Sequence, residues 1–153
     1  MNIAFGCDHA GYKLRDGIIN FVESLGHRVI DYGTHSAASC DYTEIAGAVS
    51  GAVSSGEVQR GILMCGTGIG MSIAANKFRG VRAAVCWNRE VAKLCAEHNN
   101  ANILCLSARF SKPEDIQDMI EAWIKTPFSP EARHRQRVEK IGKLEEKMCK
   151  GRK

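Results

Sequence analysis

Short apolar runs of strand length recur between amphipathic segments of helical period, and this alternation constrains the fold more than any other feature of the chain. Ile3-Ala-Phe, Arg28-Val-Ile-Asp, Gly61-Ile-Leu-Met-Cys, Val81-Arg-Ala-Ala-Val-Cys and Asn102-Ile-Leu-Cys-Leu read as five strands. Helical patterns fall between and after them, at roughly 11 to 25, 42 to 55, 70 to 78, 89 to 97, 113 to 125 and 131 to 149. Strand and helix in alternation predict an α/β fold on a parallel sheet, because parallel neighbours need a crossover long enough to hold a helix. Gly26 is placed to cap the first helix, Pro113 to open the fifth, and Pro127 with Pro130 to separate it from the last. With 153 residues, 44% of them hydrophobic, and no internal repeat, the chain is expected to form one domain over 1–153.

An open parallel sheet binds ligands beyond the carboxyl ends of its strands. The residues that close the strands are therefore the first candidates: Asp8 and His9, the loop Cys65, Gly66, Thr67, Gly68, Ile69 and Gly70, and Arg109. In the loop a thiol stands where a strand feeds a helix. Small residues there let the backbone approach a ligand, and unpaired amide N–H groups with the helix dipole favour an anion, a thiolate included. The Gly-x-Gly-x-Gly spacing is not the dinucleotide fingerprint, whose third glycine would fall at Met71, and no Gly-Lys-Ser or Gly-Lys-Thr follows as in a P-loop. The loop reads as an oxyanion or small-ligand cradle, against the plainer reading of a tight strand-to-helix turn.

Asp8-His9 offers proton exchange or hydroxyl and phosphate binding, and His98-Asn99 supplies a second histidine just before the fifth strand. For each histidine alone, structural hydrogen bonding is an equal alternative. Arg133 and Arg137, at i,i+4 on the last helix, are spaced to grip a phosphate or to form a solvated charged face. Asp41 is a natural helix cap before Tyr42, which could pack or line a pocket. His27, His35 and His134 receive no chemistry on sequence grounds, and Trp87 and Trp123 read as core or interface aromatics.

Composition narrows the class. Seven cysteines without a Cys-x-x-Cys pair argue against a disulfide framework or a zinc site, and fit reduced thiols in the cytoplasm. No leader pattern and no apolar run of about 20 residues appears, so the expectation is a soluble, unexported protein without a membrane partner. The net charge of +4 is concentrated in residues 133 to 153, with nine Lys or Arg against three Glu. That segment lacks aromatic stacking residues, which argues against nucleic acid and for a solvated helix or a small anionic ligand.

Taken in order, Gly6-Cys-Asp-His-Ala-Gly11, Asp41-Tyr42, Cys65-Gly-Thr-Gly-Ile-Gly-Met-Ser-Ile-Ala-Ala-Asn-Lys77, His98-Asn99, Arg109 and Arg133-His-x-x-Arg137 resemble the ribose-5-phosphate isomerase B family along nearly the whole chain. The resemblance implies a Rossmann-like three-layer α/β/α fold, with a five-stranded parallel sheet and an extended C-terminal helix over 131–149 reaching a partner subunit. It implies interconversion of D-ribose 5-phosphate and D-ribulose 5-phosphate without metal or organic cofactor, at sites between the subunits of a homodimer; whether dimers assemble further into a homotetramer stays open on sequence alone. By resemblance, Cys65 moves a proton between C2 and C1 through an enediolate, and Thr67 with the amides of Gly66 to Gly70 holds the oxyanion. His98 would assist ring opening, Asp8, Tyr42 and Asn99 would bind sugar hydroxyls, and His9, Arg109, Arg133 and Arg137 would clamp the phosphate, the last two from the neighbouring subunit.

One branch of the family places a Glu base where this chain has Met71, so Cys65 is the only loop residue able to serve. Thr43 replaces the usual Pro after Asp-Tyr, and Glu131-Ala132 replaces a common Gly-Gly; Glu131 is expected to favour its helix dipole rather than face the pocket. Three other functions stay open on sequence alone: isomerisation of a six-carbon aldose phosphate such as allose 6-phosphate or galactose 6-phosphate, a Cys-His hydrolase, and a binding module for an anionic metabolite.

Overall fold

The computed structural model describes residues 1–150. Five strands form one parallel sheet: β1 (Asn2–Cys7), β2 (Arg28–Asp31), β3 (Arg60–Cys65), β4 (Ala83–Val85) and β5 (Ile103–Ser107), in the order β2-β1-β3-β5-β4. Six α-helices connect or follow them: α1 (Arg15–Ser24), α2 (Tyr42–Ser55), α3 (Ile69–Ala75), α4 (Arg89–Asn99), α5 (Pro113–Lys125) and α6 (Ala132–Lys150). The expected first helix divides into a short 3-10 turn at Tyr12–Leu14 and α1, and the expected fourth strand contracts to three residues. None of the helices among the described residues is long and apolar enough to cross a membrane.

Side chains alternate across the sheet and so define two cores. Ile3, Phe5, Cys7, Ile62, Met64, Leu104 and Leu106 face α1, α4 and α5, where Trp123 is fully buried and its Nε1 donates to the Ala101 carbonyl at 3.0 Å. Ala4, Leu63, Cys65, Ile103 and Cys105 face α2 and α3. Near-continuous apolar strands are what a sheet covered on both faces requires.

Gly6 and Gly61 set how closely α2 sits. A β-carbon on Gly6 would meet Ile45 at 2.7 Å, and one on Gly61 would meet Val49 at 2.8 Å, so these two strand glycines let the helix settle against the sheet. That places the start of α2, capped by the Asp41 carboxylate through the Thr43 N–H at 2.8 Å, beside the carboxyl ends of β1 and β3. The chain leaves β1 for β2 on one side and returns to β3 on the other, so a crevice opens between β1 and β3 at that edge.

The opposite edge of the sheet is occupied differently. α4 runs back from β4 and ends at Asn99, followed by Asn100 in the left-handed region at φ 49°. The Ser129 N–H donates to the Glu97 carbonyl at 2.9 Å, which brings the linker before α6 to this end of α4. α6 then reaches the loop before β4, where the Gly80 N–H donates to the Glu145 carboxylate at 2.9 and 3.0 Å.

Candidate active site

β3 delivers Cys65, 5% exposed, to the carboxyl edge. The backbone then turns sharply: Gly68 adopts φ +78°, and a β-carbon there would lie 3.0 Å from the Leu106 carbonyl oxygen. This turn aims the Gly68 N–H back at Cys65, whose Sγ accepts it at 3.1 Å. The Thr67 hydroxyl oxygen accepts from the Ile69 N–H at 3.2 Å, which leaves its O–H free to donate toward the cleft.

Around the sulfur the cleft is lined by Asp8, His9, Tyr42, Gly66, Thr67, Ile69, Gly70 and Arg109, so the structure brings together most of the residues singled out from the sequence. Asp8 is 5% exposed and its carboxylate accepts from the Ala10 N–H at 2.8 Å, a local turn that fixes it at the end of β1. His9 Nδ1 accepts from the Cys40 N–H at 3.4 Å, so a neutral ring carries its hydrogen on Nε2, as a donor. Arg109 packs its side chain over Gly66, and its N–H donates to the Gly66 carbonyl at 3.2 Å. Ser107, absent from the sequence candidates, donates its hydroxyl to the same carbonyl at 2.8 Å and ties β5 to the loop.

Two buried thiols near the sheet, Cys7 and Cys105, are held in the protonated form. Burial, then the charge of Asp31, pushes Cys7 up to about 12, and burial also raises Cys105. Met71 is fully buried against the α2 side of the sheet and points away from the cleft chemistry. Thr43 contributes both its N–H and its hydroxyl, at 2.8 and 2.7 Å, to the Asp41 cap and lowers the Asp41 pKa; a proline would supply neither donor.

The remaining candidates gather elsewhere. His98 and Asn99 end α4, beside the amino ends of the strands, whereas Cys65 closes β3 at the carboxyl end. Since Gly61 pairs with Ile103 and Cys65 with Ser107, about 13 Å of strand separates the two levels. Arg133 and Arg137 lie on the first turns of α6, near His98, and are exposed. Between them His134 is 3% exposed and stacks on His98, with ring centroids 4.1 Å apart and planes 5° from parallel. Glu131 Oε2 meets Arg133 Nε at 2.7 Å, so the acidic departure at the start of α6 pairs with an arginine of the cluster. One chain thus carries two groups of candidate residues on opposite edges of its sheet.

Comparison with known proteins identifies the family. A family profile described as Ribose/Galactose Isomerase matches residues 3–141. Ribose-5-phosphate isomerase B of Escherichia coli is 44% identical over 145 residues, spanning 95% of this chain and 97% of that protein. The solved structure of ribose-5-phosphate isomerase B from Clostridium thermocellum superposes with a TM-score of 0.93 at 47% identity, covering 97% of this chain and 99% of the other. The type B ribose 5-phosphate isomerase of Leishmania infantum gives 0.93 at 47% identity, over 96% and 97%. Fold, ordered site residues and these similarities together place the chain in the ribose/galactose isomerase family.

Proposed function

We propose that this enzyme interconverts D-ribose 5-phosphate and D-ribulose 5-phosphate through an enediolate. The observation that carries the reading is the Cys65 sulfur, facing a cleft with Asp8, His9 and Arg109 and accepting the Gly68 N–H at 3.1 Å. The relatives named as ribose-5-phosphate isomerases support a five-carbon substrate. Cys65 removes the C2 proton of the open aldose and, after exchange with solvent, delivers a proton to C1, while the O2 proton passes to O1, so that C2 becomes the ketone and C1 the hydroxymethyl carbon. As charge develops on the substrate oxygen, the Thr67 hydroxyl and the amides of Gly66 to Gly70 stabilise it, and an oxyanion held this way lowers the barrier.

The reading includes a two-chain site. His98, Asn99, Arg133 and Arg137 sit a full strand length from Cys65 in their own chain, and a two-fold dimer that seats this edge against a partner's carboxyl edge completes two equal sites at once. Exposed apolar side chains on both elements, Ile69 and Ile73 of α3 and Ile141, Leu144 and Met148 of α6, support such an interface. His98 then assists ring opening, Asp8, Tyr42 and Asn99 hold sugar hydroxyls, and His9, Arg109, Arg133 and Arg137 clamp the phosphate. Binding energy from the unreacting phosphate holds C1 and C2 beside the sulfur.

The test incubates wild type and Cys65→Ala with ribose 5-phosphate in heavy water and follows ribulose 5-phosphate and deuterium incorporation by NMR. Wild-type turnover with deuterium in the product, and neither in Cys65→Ala, supports the mechanism. Equal activity in the two removes Cys65 from it, and inertness of wild type removes the substrate.

A further inference from the structure

Sequence gives His134 no role, yet it joins the two functional groups beside it. Its face lies parallel to His98 at 4.1 Å, and its edge meets Arg133, whose Nε–H donates to His134 Nε2 at 3.2 Å. With Nε2 accepting, the neutral imidazole carries its hydrogen on Nδ1. That atom is buried and without a hydrogen-bond partner among the described residues. A side chain retained for packing alone would be apolar and leave no donor stranded. What imidazole adds over such a side chain is the Nε2 lone pair on Arg133, and what it adds over a small acceptor is a flat ring against His98.

We propose that His134 is a positioning residue that fixes the ring plane of His98 and the guanidinium of Arg133 as one unit. The inference deepens the functional reading above and rests on it. Held from Nε, Arg133 keeps its two terminal nitrogens free for a phosphate, and Glu131 on the same Nε reinforces that pose. The other charged neighbours of His134 are His98 of α4 and Arg137 of α6. Because stack and acceptor are separate features, substitutions can remove them one at a time. His134→Phe keeps a ring and loses the acceptor; His134→Gln keeps an acceptor and loses the ring; His134→Ala loses both.

The two losses have different kinetic signatures. Ribulose 5-phosphate has no free hydroxyl at C5 and stays open, so exchange of its C1 proton with heavy water needs Cys65 but no ring-opening group. In the forward direction His134→Ala is expected to lower kcat by roughly tenfold to a hundredfold and to raise KM. His134→Phe should recover kcat while KM stays high, and His134→Gln should do the reverse. Saturated C1 exchange should stay near wild type in all three, and His98→Ala should match the kcat loss.

Circular dichroism and thermal unfolding accompany each variant, and the contrast of Phe with Gln decides the matter even where His134→Ala does not fold. Equal losses in Phe and Gln with exchange falling in parallel, or wild-type kinetics in all variants, overturn the positioning role. The functional reading survives that result if wild type isomerises and His98→Ala does not. Failure of wild type to isomerise overturns both.

Discussion

Tyr42 lies against the bare backbone of Gly70: a β-carbon on that glycine would fall 2.6 Å from the tyrosine Cζ and 2.8 Å from its hydroxyl oxygen. The ring belongs to the first residue of α2 and the glycine to the first turn of α3, so this contact closes one wall of the cleft. Tyr42 is 38% exposed and can swing outward. Gly70→Ala should therefore cost little stability but withdraw the phenol from the sugar. The expected KM increase is roughly twofold to tenfold, the worth of one hydrogen bond. Steady-state kinetics beside a thermal melt check it, and an unchanged KM would take Tyr42 out of binding.

Gly68 should behave in the opposite sense. Its φ of +78° and the Leu106 carbonyl 3.0 Å from a would-be Cβ leave no flexible group to yield. Gly68→Ala should lose about 1–2 kcal/mol from the left-handed conformation alone. Turnover should fall further, because the N–H that meets Cys65 is carried on that turn. Urea unfolding and kcat measure the two effects separately.

His134 gives stability a pH dependence. Burial first, then the charges of His98, Arg133 and Arg137, holds its imidazole below the ordinary 6.5, with Glu131 acting the other way. The unfolded ring takes up a proton near 6.5 and the folded ring only at lower pH. Stability from this group is therefore complete above 6.5 and is lost as pH falls from there through the folded value. The urea midpoint should drop less between about pH 7.5 and 5.5 in His134→Phe than in wild type. His27, lowered by burial and by the terminal amine, contributes a slope common to both. Equal drops would assign the acid sensitivity elsewhere.

Glu131 shares Arg133 Nε at 2.7 Å with both side chains more than half exposed. Removing its charge should sharpen phosphate attraction at the cluster while loosening the arginine. In Glu131→Gln the charge effect should win at low salt, lowering KM by roughly twofold to fivefold, and vanish near 1 M salt. A KM that rises at every salt concentration would show that Glu131 matters through its geometry.

The elements nearest the cleft were the most legible in sequence. Asp41 before an apolar helical pattern, glycines at 66, 68 and 70, and an apolar run closing on Cys65 each express a local requirement of capping, close approach or strand burial. The start of α1 was less so: Tyr12–Leu14 winds as a 3-10 turn, closed by the Leu14 N–H on the Gly11 carbonyl at 2.9 Å, a local tightening that the apolar period does not mark. The role of Thr43 emerged only from its two bonds to Asp41, since the pattern marked merely a missing proline. His134 was illegible for a stronger reason. Its stack with His98 joins α6 to α4 across 36 positions of chain, and no spacing within the Arg-His-x-x-Arg stretch encodes that meeting.

The strand-length gap between Cys65 and His98 has a consequence for how the enzyme responds to its own abundance. On the two-chain reading an isolated chain holds two halves that never meet, so catalysis is a property of pairs. Below the dimer dissociation constant the rate per milligram should fall in proportion to concentration, and total rate should scale with its square. Preincubation at higher protein should restore it with the lag of a bimolecular encounter. A cell making little of this chain would then have less activity than its copy number suggests, and expression would act on flux more steeply than one to one.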